Sequence, residues 1–400
     1  MTLPPAPAHS HVMITVSGPD GPGITARLTE ILHETKTQLL DIEQVVVQGN
    51  LSLGMLISMR EDRGALKELL FAAKELGVSL DFKPIEDVQA TPARQVHRYV
   101  VTVLGARIGA GELHQLSATL AEHGSNIARI SRLSLGDLRS LEVQVDLPAD
   151  KPADPLKSAL LRLGMRSSFD VALQREGLFR RSKRLVVMDM DSTLIKIEVI
   201  DELAKHYGVA SEVAAVTERA MAGEMDYDES LRQRLSLLKG LDVSVLQRIS
   251  SELPLTEGAE KLIRVLKRLG YRTAVISGGF SVAAEALRTR LGIDYAYSNT
   301  LEVENGKLTG RVVGAIVNGR RKAELLETIA QAENVRLDQV IAVGDGANDL
   351  PMLEKAGLGI AFHAKAKLRE AADTSISSGG LDSILYLLGI SAQELAEVGW

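Results

Sequence analysis

The sequence has 400 residues, more than the roughly 100–200 of one typical domain, so it predicts two to four domains. Its net charge of −6 excludes a general attraction to nucleic acid or to an anionic membrane surface, and the absence of cysteine excludes disulfides and thiolate metal sites. No apolar run approaches the ~18 residues of a membrane span, and the N-terminus lacks the pattern of a signal peptide. We therefore expect a cytoplasmic protein that binds neither nucleic acid nor membrane.

The first part of the chain predicts a small unit of four strands and two helices. Residues 12–17 alternate between apolar and polar side chains, as a half-buried strand does, and a turn-rich loop at 18–23 separates them from a helix. The further predicted elements are strands at about 39–48 and 51–59, a helix at about 64–76 and a strand at 78–85. The order βαββαβ is that of a ferredoxin-like unit.

A second unit repeats the first. The segment Val101–Gly105 matches Ile14–Gly18 in sequence pattern, and Asn126-Ile127 mirrors Gln38-Leu39. Duplicated small units usually pack side by side or edge to edge. The predicted domains of the whole chain are 1–92, 93–178 and 179–400.

A glycine-rich loop connects the first strand to the first helix. This loop, Gly18-Pro-Asp-Gly-Pro-Gly23, resembles the ligand loop of ACT domains, regulatory modules that bind free amino acids at an interface between two copies. The resemblance implies a regulatory ligand site at Gly18, Asp20, Gly21 and Gly23. A plain strand-to-helix turn is the alternative, because glycine and proline are ordinary choices there. The corresponding loop of the second copy, Gly105 to Gly111, lacks the Asp-Gly pair.

The third part opens with a short buried strand that leads into two carboxylates. Residues 185–188 form an apolar run typical of a strand in a parallel sheet, and Asp189 and Asp191 follow at its end. Such a pair could bind a divalent cation, take part in chemistry, or merely cap a turn. Residues 198–250 lack strand patterns and predict a helical insertion. The basic segment 175–183 before the strand predicts a solvated linker helix or the rim of a domain contact.

Two later strands also end in polar residues. The strand at 273–276 leads into Ser277-Gly278-Gly279, and a strand that starts at Val340 leads into the acidic loop 344–349. The carboxyl ends of parallel strands face the same edge of a sheet, so the three sets can converge on one site. Taken alone, the acidic loop lacks the closing glutamate of an EF-hand. Ser277 lacks the Gly-x-Ser-x-Gly context of a hydrolase serine, and no histidine partner is evident.

Together these motifs resemble those of the haloacid dehalogenase superfamily of phosphatases, and most closely the phosphoserine phosphatases. The resemblance covers about 184–390 and rests on Asp189-Met-Asp-Ser-Thr193, Ser277-Gly-Gly-Phe280, Lys322 and Gly344-Asp-Gly-Ala-Asn-Asp349. It implies an α/β fold: a doubly wound, mostly parallel sheet with a helical cap at about 198–255. Two ferredoxin-like βαββαβ (ACT) domains in front are a known arrangement for bacterial members.

The resemblance also implies a role for each motif residue. Asp189 would be the nucleophile that forms an aspartyl-phosphate, and Asp191 the general acid and base. Mg²⁺ would neutralise the negative charge of carboxylate and phosphate. The implied metal ligands are Asp189, Asp191 through its backbone carbonyl, and Asp345, with Asp349 in the water shell of the metal. The implied substrate residues are Glu198 for the amine, Arg234 for the carboxylate, and Ser277, Gly278, Lys322 and Asn348 for the phosphate.

These implications predict hydrolysis of O-phospho-L-serine to L-serine and phosphate, the last step of serine biosynthesis, with regulation by L-serine or another amino acid at the ACT half. We expect a homodimer, because ACT-type units usually pair and a two-copy half leaves sheet edges open. The alternatives are another small-metabolite phosphatase or phosphotransferase of the same superfamily, and an amino-acid sensor with a vestigial phosphatase. In the cap segment, Tyr227 stands where the family more often has phenylalanine, which adds a hydroxyl near the substrate.

Overall fold

The computed structural model describes residues 10–59, 64–85, 95–137 and 139–397. The chain forms two compact units, Met1–Arg94 and Gln95–Trp400, and each is described by itself. The predicted boundary between the second and third domains falls inside the second unit. In the described ranges, no helix has both the length and the apolar character needed to cross a membrane.

The first unit is an antiparallel sheet packed against two helices. In the first strand, Val12, Ile14 and Val16 are buried while their neighbours are more exposed, which is the period of a strand with one face toward a core. Its elements are β1 Ser10–Pro19, α1 Ile24–Glu34, β2 Gln38–Val47, β3 Asn50–Met59, α2 Gly64–Glu75 and β4 Ser79–Ile85. The sheet order is β2-β3-β1-β4, so the predicted βαββαβ unit is confirmed.

The predicted ligand loop lies between β1 and α1. Gly23 stands before the first residue of α1 with φ 95°, a left-handed conformation that favours glycine. A Cβ at Gly18 would lie 3.0 Å from the Val78 side chain, so space also favours glycine there. Asp20 is exposed, and its amide donates to the Gly49 carbonyl at 2.8 Å. The loop therefore exposes the Asp20 carboxylate, and its backbone conformation depends on Gly18 and Gly23.

The second unit begins with the predicted second copy. Its elements are β5 Val96–Gly105, α3 Ala110–Glu122, β6 Asn126–Arg132, β7 Ser140–Pro148, α4 Asp154–Arg166 and β8 Phe169–Arg175. The sheet order β6-β7-β5-β8 is equivalent to that of the first copy. Strand β8 is thus an edge strand, and a short helix, α5 (Leu178–Arg181), leads from it into the next sheet.

The remainder of the second unit is built on a seven-stranded sheet. Its strands are β9 Leu185–Met188, β10 Arg272–Phe280, β11 Tyr295–Glu304, β12 Lys307–Val313, β13 Val340–Gly344, β14 Leu358–Phe362 and β15 Thr374–Ile376. The order is β12-β11-β10-β9-β13-β14-β15, and only β12 runs antiparallel to its neighbour. The chain thus builds outward from β9 first on one side and then on the other. The carboxyl ends of β9, β10 and β13 adjoin at the point where the order reverses, as open α/β sheets arrange their ligand sites.

Helices fill the connections between these strands. The predicted insertion after β9 consists of α6 Val199–Tyr207, α7 Ala210–Met221, α8 Tyr227–Leu237 and α9 Val243–Ser251. We call these four helices the cap. The later helices are α10 Ala259–Arg268, α11 Ser281–Leu291, α12 Gly319–Ala332, α13 Leu350–Lys355, α14 Ala366–Ala371, α15 Ile384–Leu387 and α16 Ala392–Glu397. Crossover helices are what parallel neighbouring strands require, and the predicted fold class is confirmed.

A buried polar contact joins the second copy to the edge of the large sheet. Asp170 of β8 accepts hydrogen bonds from the Ser377 amide at 2.8 Å and the Ser377 hydroxyl at 2.6 Å, and Thr374 of β15 donates to the Val171 carbonyl at 3.2 Å. Gln174 donates to the Leu387 carbonyl at 2.9 Å. Two short edge strands are thereby held together by side chains rather than by a backbone ladder.

The basic segment 175–183 belongs to the same contact. Arg180 is only 4% exposed and forms ion pairs with Glu142 and Glu176. Lys183 is also buried, and its ammonium donates to the Asp338 carbonyl at 2.6 Å. Of the two predicted interpretations, the rim of a domain contact fits these residues, because a buried cation must be paired. Arg175, Leu178 and Arg181 of the same segment are exposed.

We predict that Asp170→Ala lowers the free energy of unfolding by about 1–3 kcal/mol, because the Ser377 amide and hydroxyl would lose the buried carboxylate that accepts their hydrogen bonds. The midpoint of thermal unfolding should fall by several degrees. Asp150→Ala, at an exposed aspartate of the same domain, is the matched control and should leave the midpoint unchanged. Equal midpoints for the two variants would contradict the stabilising role of this contact.

Candidate active site

The turn after β9 places two carboxylates at the sheet edge. Asp189 follows the fully buried strand, and its carboxylate accepts a hydrogen bond from the Met190 amide at 2.7 Å. Ser192, inside the turn, has φ 56°, a left-handed conformation that is unusual for a residue with a Cβ. The Asp191 carboxylate accepts from the Val199 amide at 3.0 Å, which ties the first cap helix to the turn. Both aspartates line the same cavity.

A buried lysine connects Asp189 to the acidic loop after β13. The Lys322 ammonium lies 2.7 Å from Asp189 Oδ1 and 2.6 Å from Asp349 Oδ1, and the lysine has no solvent exposure. Burial pulls the pKa of Lys322 down, but the charges of Asp189 and Asp349 more than offset this, and the net shift is upward. The ammonium is therefore a permanent charge. Asn318 fixes the start of α12, where Lys322 lies, by accepting from the Arg321 amide at 3.0 Å.

Three carboxylates form a cluster that suits a cation. Oxygens of Asp189, Asp345 and Asp349 all lie within 4.8 Å of one another. Burial, and then the charge of Asp349, raises the pKa of Asp189 well above its ordinary value and that of Asp345 to about 7. The Lys322 charge thus balances only part of the cluster. An all-oxygen set with excess negative charge is the donor chemistry that hard divalent cations prefer.

The cluster differs in membership from the implied ligand set. The Asp191 carboxylate is not part of it, and the contribution expected from Asp191 was its backbone carbonyl. Asp349 is part of it, but both its oxygens are engaged, Oδ1 by Lys322 and Oδ2 by the Gly346 amide at 3.1 Å. That engagement fits an indirect role for Asp349. Thr193, which donates to Asp345 at 3.0 Å, is an additional orienting residue that the sequence argument did not name.

The surroundings of Asp191 differ from those of Asp189. Asp191 Oδ2 accepts from the fully buried Ser277 hydroxyl at 3.3 Å, and the Ser277 oxygen accepts from the Gly279 amide at 2.8 Å. Burial, and then the charge of Glu198, raises the pKa of Asp191 to about 7. A carboxyl with a pKa near neutrality can donate a proton in one step and accept one in the next.

The cap and the sheet edge enclose a cavity of ≈ 810 Å³. Most of the predicted residues line it, namely Asp189, Asp191, Glu198, Arg234, Ser277, Gly278, Asp345 and Asn348. Lys322 and Asp349 lie beneath its surface. The predicted regulatory loop belongs to the other compact unit.

Two cap residues offer opposite charges to the cavity. Glu198 accepts from the Ser192 hydroxyl at 2.9 Å, and burial raises the pKa of Glu198. Arg234 has a buried Nε that meets no hydrogen-bond partner among the described residues, so it can receive an acceptor from a ligand. A carboxylate and a guanidinium on one cavity can hold the amine and the carboxylate of an amino acid.

The cavity also has lining residues that the sequence argument missed. Lys365 and Lys367 follow β14 at the same sheet edge, and the Lys365 ammonium lies 3.6 Å from the Met221 sulfur of the cap. Asp201 of α6 and Met225, between α7 and α8, also line the cavity. The two lysines could have been found from the sequence, because they follow the end of a strand, and the ligand-site loops of such a sheet all lie at that position.

Comparison with known proteins assigns these features to families. Residues 183–357 match the family model of haloacid dehalogenase-like hydrolases, and residues 10–83 and 97–174 each match an ACT domain model. The chain is similar to a phosphoserine phosphatase of Streptomyces coelicolor, with 44% identity over 96% of this chain and 93% of that protein. It is also similar to a phosphoserine phosphatase of Mycobacterium tuberculosis, with 43% identity over 97% of this chain and 95% of that protein. A solved HAD family hydrolase from Salmonella enterica serovar Typhi matches 73% of this chain and 98% of its own, with TM-score 0.64 and 31% identity.

We predict that the acidic cluster makes the stability of the metal-free protein fall as the pH rises. The pKa values of Asp345, in the cluster, and of Asp191, outside it on the same cavity, are about 7 and exceed the ordinary value of ~3.9. A carboxyl with a raised folded-state pKa favours the folded state below its unfolded pKa, and this contribution is lost as the pH rises to the folded value. The unfolding midpoint in EDTA should therefore fall between about pH 5 and about pH 8, and Mg²⁺ should raise it more at the higher pH.

Asp345→Asn tests the cluster directly. This variant removes one titrating carboxylate, so its midpoint in EDTA should depend less on pH, and Mg²⁺ should stabilise it less. Asp150→Asn, at an exposed position, should behave as the unchanged chain. If Asp345→Asn kept the full pH dependence and the full Mg²⁺ stabilisation, the cluster would not be the cation site.

Proposed function

We propose that this chain, which belongs to the phosphoserine phosphatase family of haloacid dehalogenase-like hydrolases, converts O-phospho-L-serine and water to L-serine and phosphate through an aspartyl-phosphate. The reaction would be the last step of serine biosynthesis and would take place in the cytoplasm. By family, the chain is thus a phosphoric monoester hydrolase.

One observation carries the proposal: two carboxylates of one turn have different environments. Asp189 lies 2.7 Å from the permanent charge of Lys322, which favours an ionised nucleophile once the cluster is balanced by a cation. Asp191 contacts the Ser277 hydroxyl and has a pKa of about 7. Two titratable groups with divergent environments are the pattern by which acid–base roles are assigned.

The two half-reactions follow from this difference. An Asp189 oxygen attacks phosphorus, the bond from phosphorus to the serine oxygen breaks, and Asp191 gives its proton to that oxygen. A water molecule then attacks phosphorus, Asp191 takes the proton of that water, and the bond from Asp189 to phosphorus breaks. Asp191 thereby regains the proton that it lost, and phosphate leaves.

The residues present fit Mg²⁺. Asp189 and Asp345 would hold the ion through carboxylate oxygens and Asp191 through its backbone carbonyl, with Asp349 on its water shell. The ion would supply positive charge that lets a carboxylate approach a phosphate dianion. Ser277, the Gly278 amide, Lys322 and Asn348 would bind the phosphate oxygens. Glu198 and Arg234 would select a zwitterion.

The ACT half would regulate the enzyme. The exposed Asp20 in the Gly18-to-Gly23 loop suits an amino-acid ligand, and L-serine, the product, is the ligand that feedback control would use. A ligand acts at a distance by binding one conformation more tightly than another. The cap, which must open for substrate and close against water, is the element whose position such binding would bias.

We also propose a homodimer formed through the first ACT domain. Strand β2 is an edge strand, and all ten of its residues are exposed. Its exposed apolar side chains are Leu39, Leu40, Ile42, Val45, Val46 and Val47. Long apolar edge strands usually pair with a further strand. A sedimentation mass of a single 43.2 kDa chain at micromolar concentration would contradict this.

We expect the purified chain to release phosphate from O-phospho-L-serine, to stop in EDTA and to recover with Mg²⁺. Asp189→Asn should abolish turnover and leave no phosphate on the protein. Asp191→Asn should slow both formation and breakdown of the intermediate by about 10²–10⁴-fold, because one group serves both steps. Acid-quenched samples with labelled substrate measure both quantities.

Controls separate the alternatives. Asp150→Asn should retain full activity. Labelled phosphate on Asp189→Asn protein would contradict the nucleophile assignment. Transfer of phosphate to an added alcohol such as homoserine, in preference to water, would indicate a phosphotransferase. Serine binding without phosphate release would indicate a sensor.

Asp20→Ala should weaken inhibition by L-serine while leaving competition at the Glu198 and Arg234 pocket intact. Inhibition curves at saturating substrate report the regulatory site, because product competition is then suppressed. Glu75→Ala, an exposed carboxylate at the end of α2, is the control. Identical serine inhibition of the unchanged chain and of Asp20→Ala would exclude this loop as the site.

A further inference from the structure

The hydroxyl of Tyr227 connects the cap to the core of the site. Tyr227 is the first residue of cap helix α8, and its Oη donates to the Gly278 carbonyl at 3.2 Å. The ring lines the cavity and packs against the hydrophobic core. Burial raises the pKa of Tyr227, so the hydroxyl keeps its proton and stays a donor. A Cβ at residue 278 would overlap this hydroxyl, so the contact requires glycine there.

The Gly278 carbonyl is fixed from the core side as well. The buried Asn299 donates to it through Nδ2 at 2.7 Å, while Asn299 Oδ1 accepts from the Val317 amide at 2.8 Å. A carbonyl oxygen has two lone pairs, and here one donor comes from the core and the other from the cap. Only the second of these depends on the position of the cap.

The same peptide group continues toward Asp191. The amide on the other side of this peptide bond, that of Gly279, donates to Ser277 Oγ at 2.8 Å, and Ser277 Oγ donates to Asp191 Oδ2 at 3.3 Å. All the hydrogen bonds, from the Tyr227 hydroxyl to the Asp191 carboxylate, run in one direction. Hydrogen bonds in such a chain polarise and strengthen one another.

We propose that Tyr227 is a positioning residue whose hydroxyl, acting through the loop 277–279, orients Asp191 when the cap lies as it does here. The inference rests on the acid–base role proposed for Asp191. The cap would thus do more than exclude water. With the cap in this position, the hydrogen-bond chain extends from the cap to Asp191, the group proposed to transfer the proton. A phenylalanine at this position would keep the ring and lack the connection.

Tyr227→Phe tests this by removing one oxygen atom. We expect kcat for O-phospho-L-serine to fall by about 2–10-fold, the range of one neutral hydrogen bond, with little change in KM, because the ring still lines the cavity. Tyr207→Phe is a matched control: the Tyr207 hydroxyl donates to the Lys239 carbonyl at 2.8 Å inside the cap and does not reach the core. It should leave kcat unchanged.

A second measurement ties the effect to the chain of hydrogen bonds. In a Ser277→Ala background the path to Asp191 is cut, so Tyr227→Phe should cause no further loss of kcat. A kcat of Tyr227→Phe equal to that of Tyr207→Phe, a change in KM alone, or a full additional loss in the Ser277→Ala background would each overturn the inference. If the unchanged chain released no phosphate from O-phospho-L-serine, the proposed function would fall together with it. With an active chain, an unaffected Tyr227→Phe overturns this inference alone.

Discussion

The buried ammonium of Lys322 is the interaction on which the rest of the site depends. It lies between Asp189, at the end of β9, and Asp349, in the loop after β13, and all three side chains are almost fully buried. An unpaired buried charge is very unfavourable, so helix α12 must stay where its lysine meets both carboxylates. The positions of three strand and helix ends are thereby coupled. Removing one partner would leave the others uncompensated.

Lys322 neutralises only part of the negative charge of the neighbouring carboxylates. The remaining negative charge bears on function. Asp345 and Asp191 have pKa values of about 7 because burial opposes their ionisation. A bound cation would neutralise the excess negative charge of the cluster around Asp345. Asp191 contacts Ser277 and the first cap helix instead, and its raised pKa suits the proton transfer that we propose for it. One five-residue turn thus carries two carboxylates with different partners, and Ser192 in the same turn has a left-handed backbone conformation.

The sequence predicted those parts of the architecture that have a local sequence pattern. The apolar run 185–188, the repeated βαββαβ order and the three polar strand ends all have periods or spacings that can be read directly. Contacts between segments far apart in the chain have no such local pattern. Nothing in the segment 175–183 shows that Arg180 is buried against Glu142, and the three-residue β15 is too short to have a period. Tyr227 was visible as a departure from phenylalanine, but the partner of its hydroxyl depends on where the cap lies.

The second ACT domain contacts a segment that also contributes to the cavity wall. Lys157 of α4 lies 2.6 Å from Asp373, and Asp373 in turn accepts from the Gly359 amide of β14 at 2.8 Å. Between β14 and β15 the chain runs past Lys365 and Lys367, which line the cavity. The second ACT domain therefore holds the far end of a segment whose near end forms the cavity wall. Its loop, which lacks the Asp-Gly pair of the first copy, takes no part in these contacts: they come from α4 and β8.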